Sequence, residues 1–124
     1  MTKQFDILDR RVVYNGFFKM ETYELRHALF GGGMSPVLKR ELFRRGRVAS
    51  VLPFDPDRDT VVLVEQFRIG AMEGPGGAWL LETVAGYAEA GEAMETVARR
   101  EAAEEADLKL QALHRIQDYY PTPG

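Results

Sequence analysis

The stretch ARREAAEEADL, Ala98 to Leu108, places the tightest constraint on how this chain can fold. All but its last two residues lie in the one segment with helical patterning, residues 93–106; the other segments read as strand or turn. At about 100° per residue, Met94, Val97 and Ala98 form an apolar stripe that should face the core. Glu101 and Glu105 fall in the middle of that stripe, and Glu104 falls at its edge. Charge runs on helices are ordinarily solvated faces, and like charges at this spacing repel. Here the register turns carboxylates inward, where they are costly unless paired or bound to metal.

Glu101 and Glu105, one helical turn apart, can set oxygens around a single hard cation. Such oxygen-only sets suit magnesium or manganese, with water and substrate phosphate completing the coordination. The chain has no cysteine and no His pair near this segment, which argues against zinc. Arg100 offers a competing structural role, because an ion pair with Glu104 at i, i+4 would make Glu104 structural rather than catalytic.

The first half reads as β. Residues 11–14 (RVVY) and 17–29 (FFKMETYELRHAL) are rich in aromatic and branched side chains and break at Asn15-Gly16, a hairpin signal. FGGGMS, residues 30–35, reads as a second hairpin turn, since no helix follows it to supply a phosphate-binding N-terminus. Residues 37–43 form a third strand, and a fourth ends near Pro53. A turn at 55–59 precedes a strand over 60–70. A Gly/Pro loop at 71–79 leads to a strand over 80–87, and a last strand is expected over 108–120. Glu82, in an otherwise apolar run, calls for a polar partner.

About seven strands and one helix indicate an α+β fold. A net charge of -3 gives no general attraction to nucleic acid or anionic membranes. The N-terminus lacks a signal-peptide core, and no apolar run approaches the ~20 residues of a membrane span. Absent cysteine fits a reducing cytoplasm.

The segment GYAEAGEAMETVARREAAEEADL, residues 86–108, resembles the Nudix box, G-x5-E-x7-R-E-U-x-E-E-x-G-U. Gly86, Glu92, Arg100, Glu101, Glu104, Glu105 and Leu108 match its fixed positions. Ala102 stands where a larger aliphatic is common. Asp107 stands where the family has glycine, a helix C-cap in left-handed geometry. Aspartate tolerates that geometry, though its charge is unfavourable at the negative end of the helix dipole. Further segments, GFFKMETYELRH, FGGGMSPVLKRELFRRG, VLPFDPDRDTVVLVEQFRIGA and WLLETVAGYAEAGE, extend the resemblance to the ADP-ribose pyrophosphatase branch of the Nudix hydrolases.

The resemblance implies an N-terminal antiparallel β-sheet region at residues 1–47, serving dimerisation and substrate contacts. Residues 48–124 would then be the first part of a Nudix α/β/α sandwich. It implies magnesium-dependent hydrolysis of ADP-ribose to AMP and ribose 5-phosphate by a cytoplasmic homodimer. The metal ligands would be Glu101, Glu105 and the backbone carbonyl of Ala85, with Glu104 assisting as a further ligand or through water. Arg68 resembles the family's substrate-phosphate arginine. Phe17 and Phe18 would stack near adenine. Arg40, Glu41, Arg45 and Tyr87 would reach the substrate, some from the partner subunit. Another nucleoside diphosphate sugar or a dinucleotide is the alternative substrate; a non-catalytic domain that senses ADP-ribose is the alternative class. In this branch the residue proposed to activate water lies on a later loop, so the base is expected beyond Gly124. The 124-residue chain alone is expected to be inactive and poorly folded.

Overall fold

A computed structural model describes residues 3–124. They form two units, the first ending at residue 46 and the second spanning residues 47–124.

The first unit is an antiparallel meander of β1 (Phe5–Asn15), β2 (Lys19–His27) and β3 (Leu38–Arg44), with β2 in the centre. β1 begins six residues earlier than the RVVY run suggests, and its pairing with β2 runs from Phe5↔His27 to Asn15↔Lys19. Register shifts between Ile7 and Asp9 and between Val12 and Tyr14 add twist to β1. Asn15-Gly16 makes the expected turn, but Phe17 and Phe18 belong to it rather than to β2. The Gly16 N–H donates to the Phe18 carbonyl at 3.0 Å, which closes the turn. The FGGGMS segment is also a turn: Leu29 N–H donates to the Gly33 carbonyl at 3.0 Å. Gly32 and Gly33 take φ of 92° and 76° there, values that disfavour a side chain.

Sequence reasoning missed the centre of this sheet. Glu21 on β2 is 1% exposed. Arg10 on β1 donates to its Oε1 at 2.5 Å; Arg44 on β3 and the Tyr23 hydroxyl donate to its Oε2 at 2.9 and 2.8 Å. Arg10 and Arg44 reach it as diagonal cross-strand neighbours. A one-residue slip of either outer strand would turn its arginine to the opposite face and leave the buried carboxylate short of a cation. Those hydrogen bonds, Arg10 first, hold the Glu21 pKa down at about 2.

The second unit pairs β4 (Val48–Val51) with β9 (Val84–Tyr87), β5 (Phe54–Asp55) with β6 (Thr60–Val61), and β7 (Val64–Phe67) with β8 (Trp79–Glu82), all antiparallel. Two strands expected to be continuous are each broken. The run over 60–70 divides because its two parts pair differently: β6 pairs with β5, a ladder that Val62 N–H extends to the Pro53 carbonyl at 3.0 Å, and β7 pairs with β8. The run over 80–87 divides at Thr83, where β8 and β9 turn to different partners. Helix α1 (Met94–Ala106) matches its expected span within a residue and packs on β9 and β4. Val97, Ala98 and Ala102 are buried on its inner face together with Val84 of β9. The strand expected over 108–120 does not form: it pairs with no described segment, and Ile116, Tyr119 and Tyr120 are exposed. Among the described residues no helix is long and apolar enough to cross a membrane.

Candidate active site

The site grows from the contact between α1 and β9. Register puts Val97, Ala98 and Ala102 at the interface, and the small alanines let the helix lie close to the strand. Glu101 and Glu105 continue that face at its rim. The Glu101 side chain is 13% exposed, whereas Glu104, a step around the helix, is 60% exposed. The depth order drawn from the helical period therefore holds.

Glu101 lies across Gly86 of β9, in the volume a side chain at that position would occupy. Its Oε1 accepts from Arg100 Nη1 at 2.7 Å. Glu105 is half-buried and held from two elements. Its Oε1 accepts from the Gln66 amide of β7 at 2.8 Å, and its Oε2 accepts from the Ala85 N–H of β9 at 3.2 Å. The ladder explains why Ala85 is available. Ala88 N–H bonds the Arg47 carbonyl just beyond the strands, so the alternation makes Ser50↔Ala85 a non-hydrogen-bonded pair. The N–H and C=O of Ala85 therefore both point away from β4, to the side where Glu105 sits.

Arg100 is a bolt rather than a partner for Glu104. Its Nε and Nη2 each lie 3.1 Å from the two Glu92 oxygens, and Nη2 donates to the Tyr87 carbonyl at 3.0 Å. The Glu104 contact is longer, 3.5 Å, and exposed, so the pairing that would have made Glu104 structural is the weakest Arg100 makes. Glu92 Oε2 also accepts from the Glu89 N–H at 2.9 Å, which ties the loop before α1 to the helix. These bonds, Arg100 first, lower the Glu92 pKa, and Glu92 and Glu101 raise that of Arg100.

Arg68 follows β7 and grips Glu82 of β8 through Nε at 2.8 and 2.9 Å and Nη2 at 2.5 Å. Glu82 thus has its polar partner. The pairing raises the Arg68 pKa and lowers that of Glu82. Tyr87 closes β9, opposite Val48.

Arg40, Glu41, Arg45, Phe17 and Phe18 belong to the first unit. Arg40 and Glu41 line a shallow depression with Asp9, Arg11, Thr22 and Lys39. Phe17 is 89% exposed at the β1–β2 turn and meets Phe18 edge-on at 4.8 Å. Phe18 meets Phe43 at 5.0 Å, and the Arg45 guanidinium lies 5.5 Å from the Phe18 ring centre.

The donor chemistry at α1 and β9 suits a hard divalent cation. Two rim carboxylates and one outward backbone carbonyl supply oxygen alone. No three acidic, His or Cys side chains gather into a group that could hold a metal ion among the described residues.

The site is thus built from paired antiparallel strands and helix α1, with Glu101 set against Gly86 of β9. The NUDIX domain matches residues 44–124, and the chain belongs to that family. Members of the family generally use divalent metal ions. Over 119 residues the chain is 49% identical to the ADP-ribose pyrophosphatase of Escherichia coli K12, covering 96% of this chain and 57% of that protein. It is 42% identical to the ADP-ribose pyrophosphatase of Haemophilus influenzae, over 96% of this chain and 56% of that one. It is 30% identical to a GDP-mannose pyrophosphatase of Escherichia coli O139:H28, over 100% of this chain and 64% of that one. The chain thus spans little more than half the length of the ADP-ribose pyrophosphatases it matches.

Proposed function

We propose that this protein is a Nudix diphosphatase that hydrolyses ADP-ribose to AMP and ribose 5-phosphate, using magnesium or manganese. The observation that carries the reading is the joint presentation of Glu101, Glu105 and the outward face of Ala85 at the α1–β9 contact. A bound divalent cation supplies charge neutralisation for the diphosphate and activation of water. Glu101, Glu105 and the Ala85 carbonyl hold that cation, and the exposed Glu104 assists directly or through water. Arg68 offers a planar guanidinium suited to phosphate, and Tyr87 borders the substrate. In the N-terminal β region, Phe17 and Phe18 stack near the adenine, and Arg40, Glu41 and Arg45 reach the substrate, some of them from the partner subunit. The reading extends to a cytoplasmic homodimer formed through that region, with the second unit part of an α/β/α sandwich. The identity to two bacterial ADP-ribose pyrophosphatases supports the choice of substrate.

The likeness to a GDP-mannose pyrophosphatase favours one second reading, another nucleoside diphosphate sugar at the same site. The test is AMP release from ADP-ribose by the intact gene product with magnesium, beside GMP release from GDP-mannose. Glu105→Gln keeps the shape and removes a ligand charge. Its turnover is expected to fall at least about 100-fold with folding near normal. Equal turnover in the variant would sink the metal assignment, and GMP release outpacing AMP release would transfer the reading to the second substrate.

A further inference from the structure

We propose that Gln66 is a positioning residue for Glu105, holding that carboxylate in the orientation in which it takes a divalent cation. The inference rests on the reading of Glu105 as a metal ligand. Exposure alternates along β7: Val64 and Gln66 are half-buried, and Glu65 and Phe67 are exposed. Gln66 is therefore a polar side chain on the inward face of a strand, where an amide needs a partner. Its partner is Glu105 Oε1, 2.8 Å from its Nε2 and 39 residues away in sequence.

The second oxygen of Glu105 is held independently, by the Ala85 N–H at 3.2 Å. Each carboxylate oxygen thus accepts one bond from a different strand. Two anchors fix the rotation of the carboxylate plane and leave further lone pairs open. Both donors are neutral. Glu101 is held differently, by the Arg100 cation at 2.7 Å. A neutral donor orients Glu105 without cancelling the charge a cation needs. The neighbouring Arg68 acts on Glu105 only through space, because its guanidinium is committed to Glu82.

The test is titration of the intact protein with manganese(II), reading the free ion by electron paramagnetic resonance, with no substrate present. Gln66→Met keeps the length and removes the donor. Its manganese dissociation constant is expected to rise about tenfold or more, the usual effect of removing an outer-shell partner. Its unfolding temperature in chelator is expected to stay close to that of the unaltered protein. In a Glu105→Gln background the same substitution should weaken binding no further, since the two residues act as a unit. An affinity changed by less than about twofold, or equal losses in both backgrounds, would overturn the inference and leave the metal reading intact. If Glu105→Gln alone leaves manganese affinity unchanged, the metal reading fails and takes the inference with it. Should Gln66→Met not fold, Gln66→Asn, whose amide is one methylene short of Glu105, decides by the same readings.

Discussion

Glu101 lies over Gly86 with its carboxylate in the space a β-carbon at that position would fill. The first glycine of the motif is therefore the floor on which the central glutamate rests, fifteen residues further along the chain. Arg100 steadies the same carboxylate from the helix side at 2.7 Å and, through Glu92 and the Tyr87 carbonyl, ties it to the loop and strand that carry Gly86. The motif's spacing is the spacing of these contacts.

Gly86→Ala therefore sets a methyl group against Glu101. The carboxylate must swing off the strand and away from Arg100, while Val84, Val97 and Ala102 keep their packing. The expected stability loss is about 1–3 kcal/mol, the usual cost of overpacking, with activity reduced at least about tenfold. Thermal unfolding and steady-state turnover on one preparation check this. Full activity at unchanged stability would mean that the observed position of Glu101 is not the working one.

The helix and the depth order of its glutamates were legible in the sequence because both follow from one local period. Pairings between distant segments were not. The run 80–87 reads as one strand, but Glu82 pairs with Val64 and Val84 with Val51, and no local signal divides it at Thr83. Arg68 and Glu82 meet only through the β7–β8 register. Nothing local marks Glu21 as buried, since its two arginine partners lie 11 and 23 residues away. Gln66 was overlooked for a different reason: an amide among apolar residues carries a signal, that of an inward polar group, but its partner sits on the helix. The aromatic run 108–120 satisfies strand composition, yet strand structure requires a neighbour to hydrogen-bond, which composition does not report.

Glu21 gives the first unit a defined acid sensitivity. Its folded pKa of about 2 lies below the ordinary value of 4.5, so between those values the unfolded chain binds the extra proton. The resulting stabilisation is complete above the unfolded value and fades as pH falls through the folded one. Glu21→Gln leaves Arg10 and Arg44 without their anion, so the variant is expected to melt lower at neutral pH. The gap between the two proteins should narrow as pH falls from about 4.5 toward 2. A gap that stays constant across that range would show that Glu21 is not held ionised by its arginines.

Arg68 is half-exposed at 45%, and its partner Glu82 is 25% exposed, so their ion pair contributes little stability in solvent. Its value lies in geometry, because the carboxylate fixes the guanidinium plane. Arg68→Lys retains the charge and discards the planar fork. Stability is expected to change by less than about 1 kcal/mol, while KM for ADP-ribose rises about tenfold, the loss of one charge-assisted bond. Steady-state kinetics with a melting curve separates these effects. An unchanged KM would remove Arg68 from the substrate site.

Asp107 ends α1 in left-handed geometry, with φ 53° and ψ 37°. Its N–H bonds the Ala103 carbonyl at 3.1 Å and the Leu108 N–H bonds that of Ala102 at 3.0 Å, so the helix closes there as a glycine would close it. Two costs remain. The β-carbon crowds the backbone in this region, and the carboxylate sits at the negative end of the helix dipole, with no basic residue in the last turn to offset it. Asp107→Gly removes both costs and loses only the smaller entropy advantage of a non-glycine residue in the unfolded chain. The variant is expected to gain about 0.5–1 kcal/mol in stability with turnover unchanged, because Glu101 and Glu105, the proposed metal carboxylates, lie within the helix before this cap. Asp107→Asn separates the causes, since it keeps the β-carbon and removes the charge. A gain in the glycine variant alone would assign the cost to backbone geometry, equal gains would assign it to the dipole, and a loss in the glycine variant would show that the aspartate side chain supports the helix end.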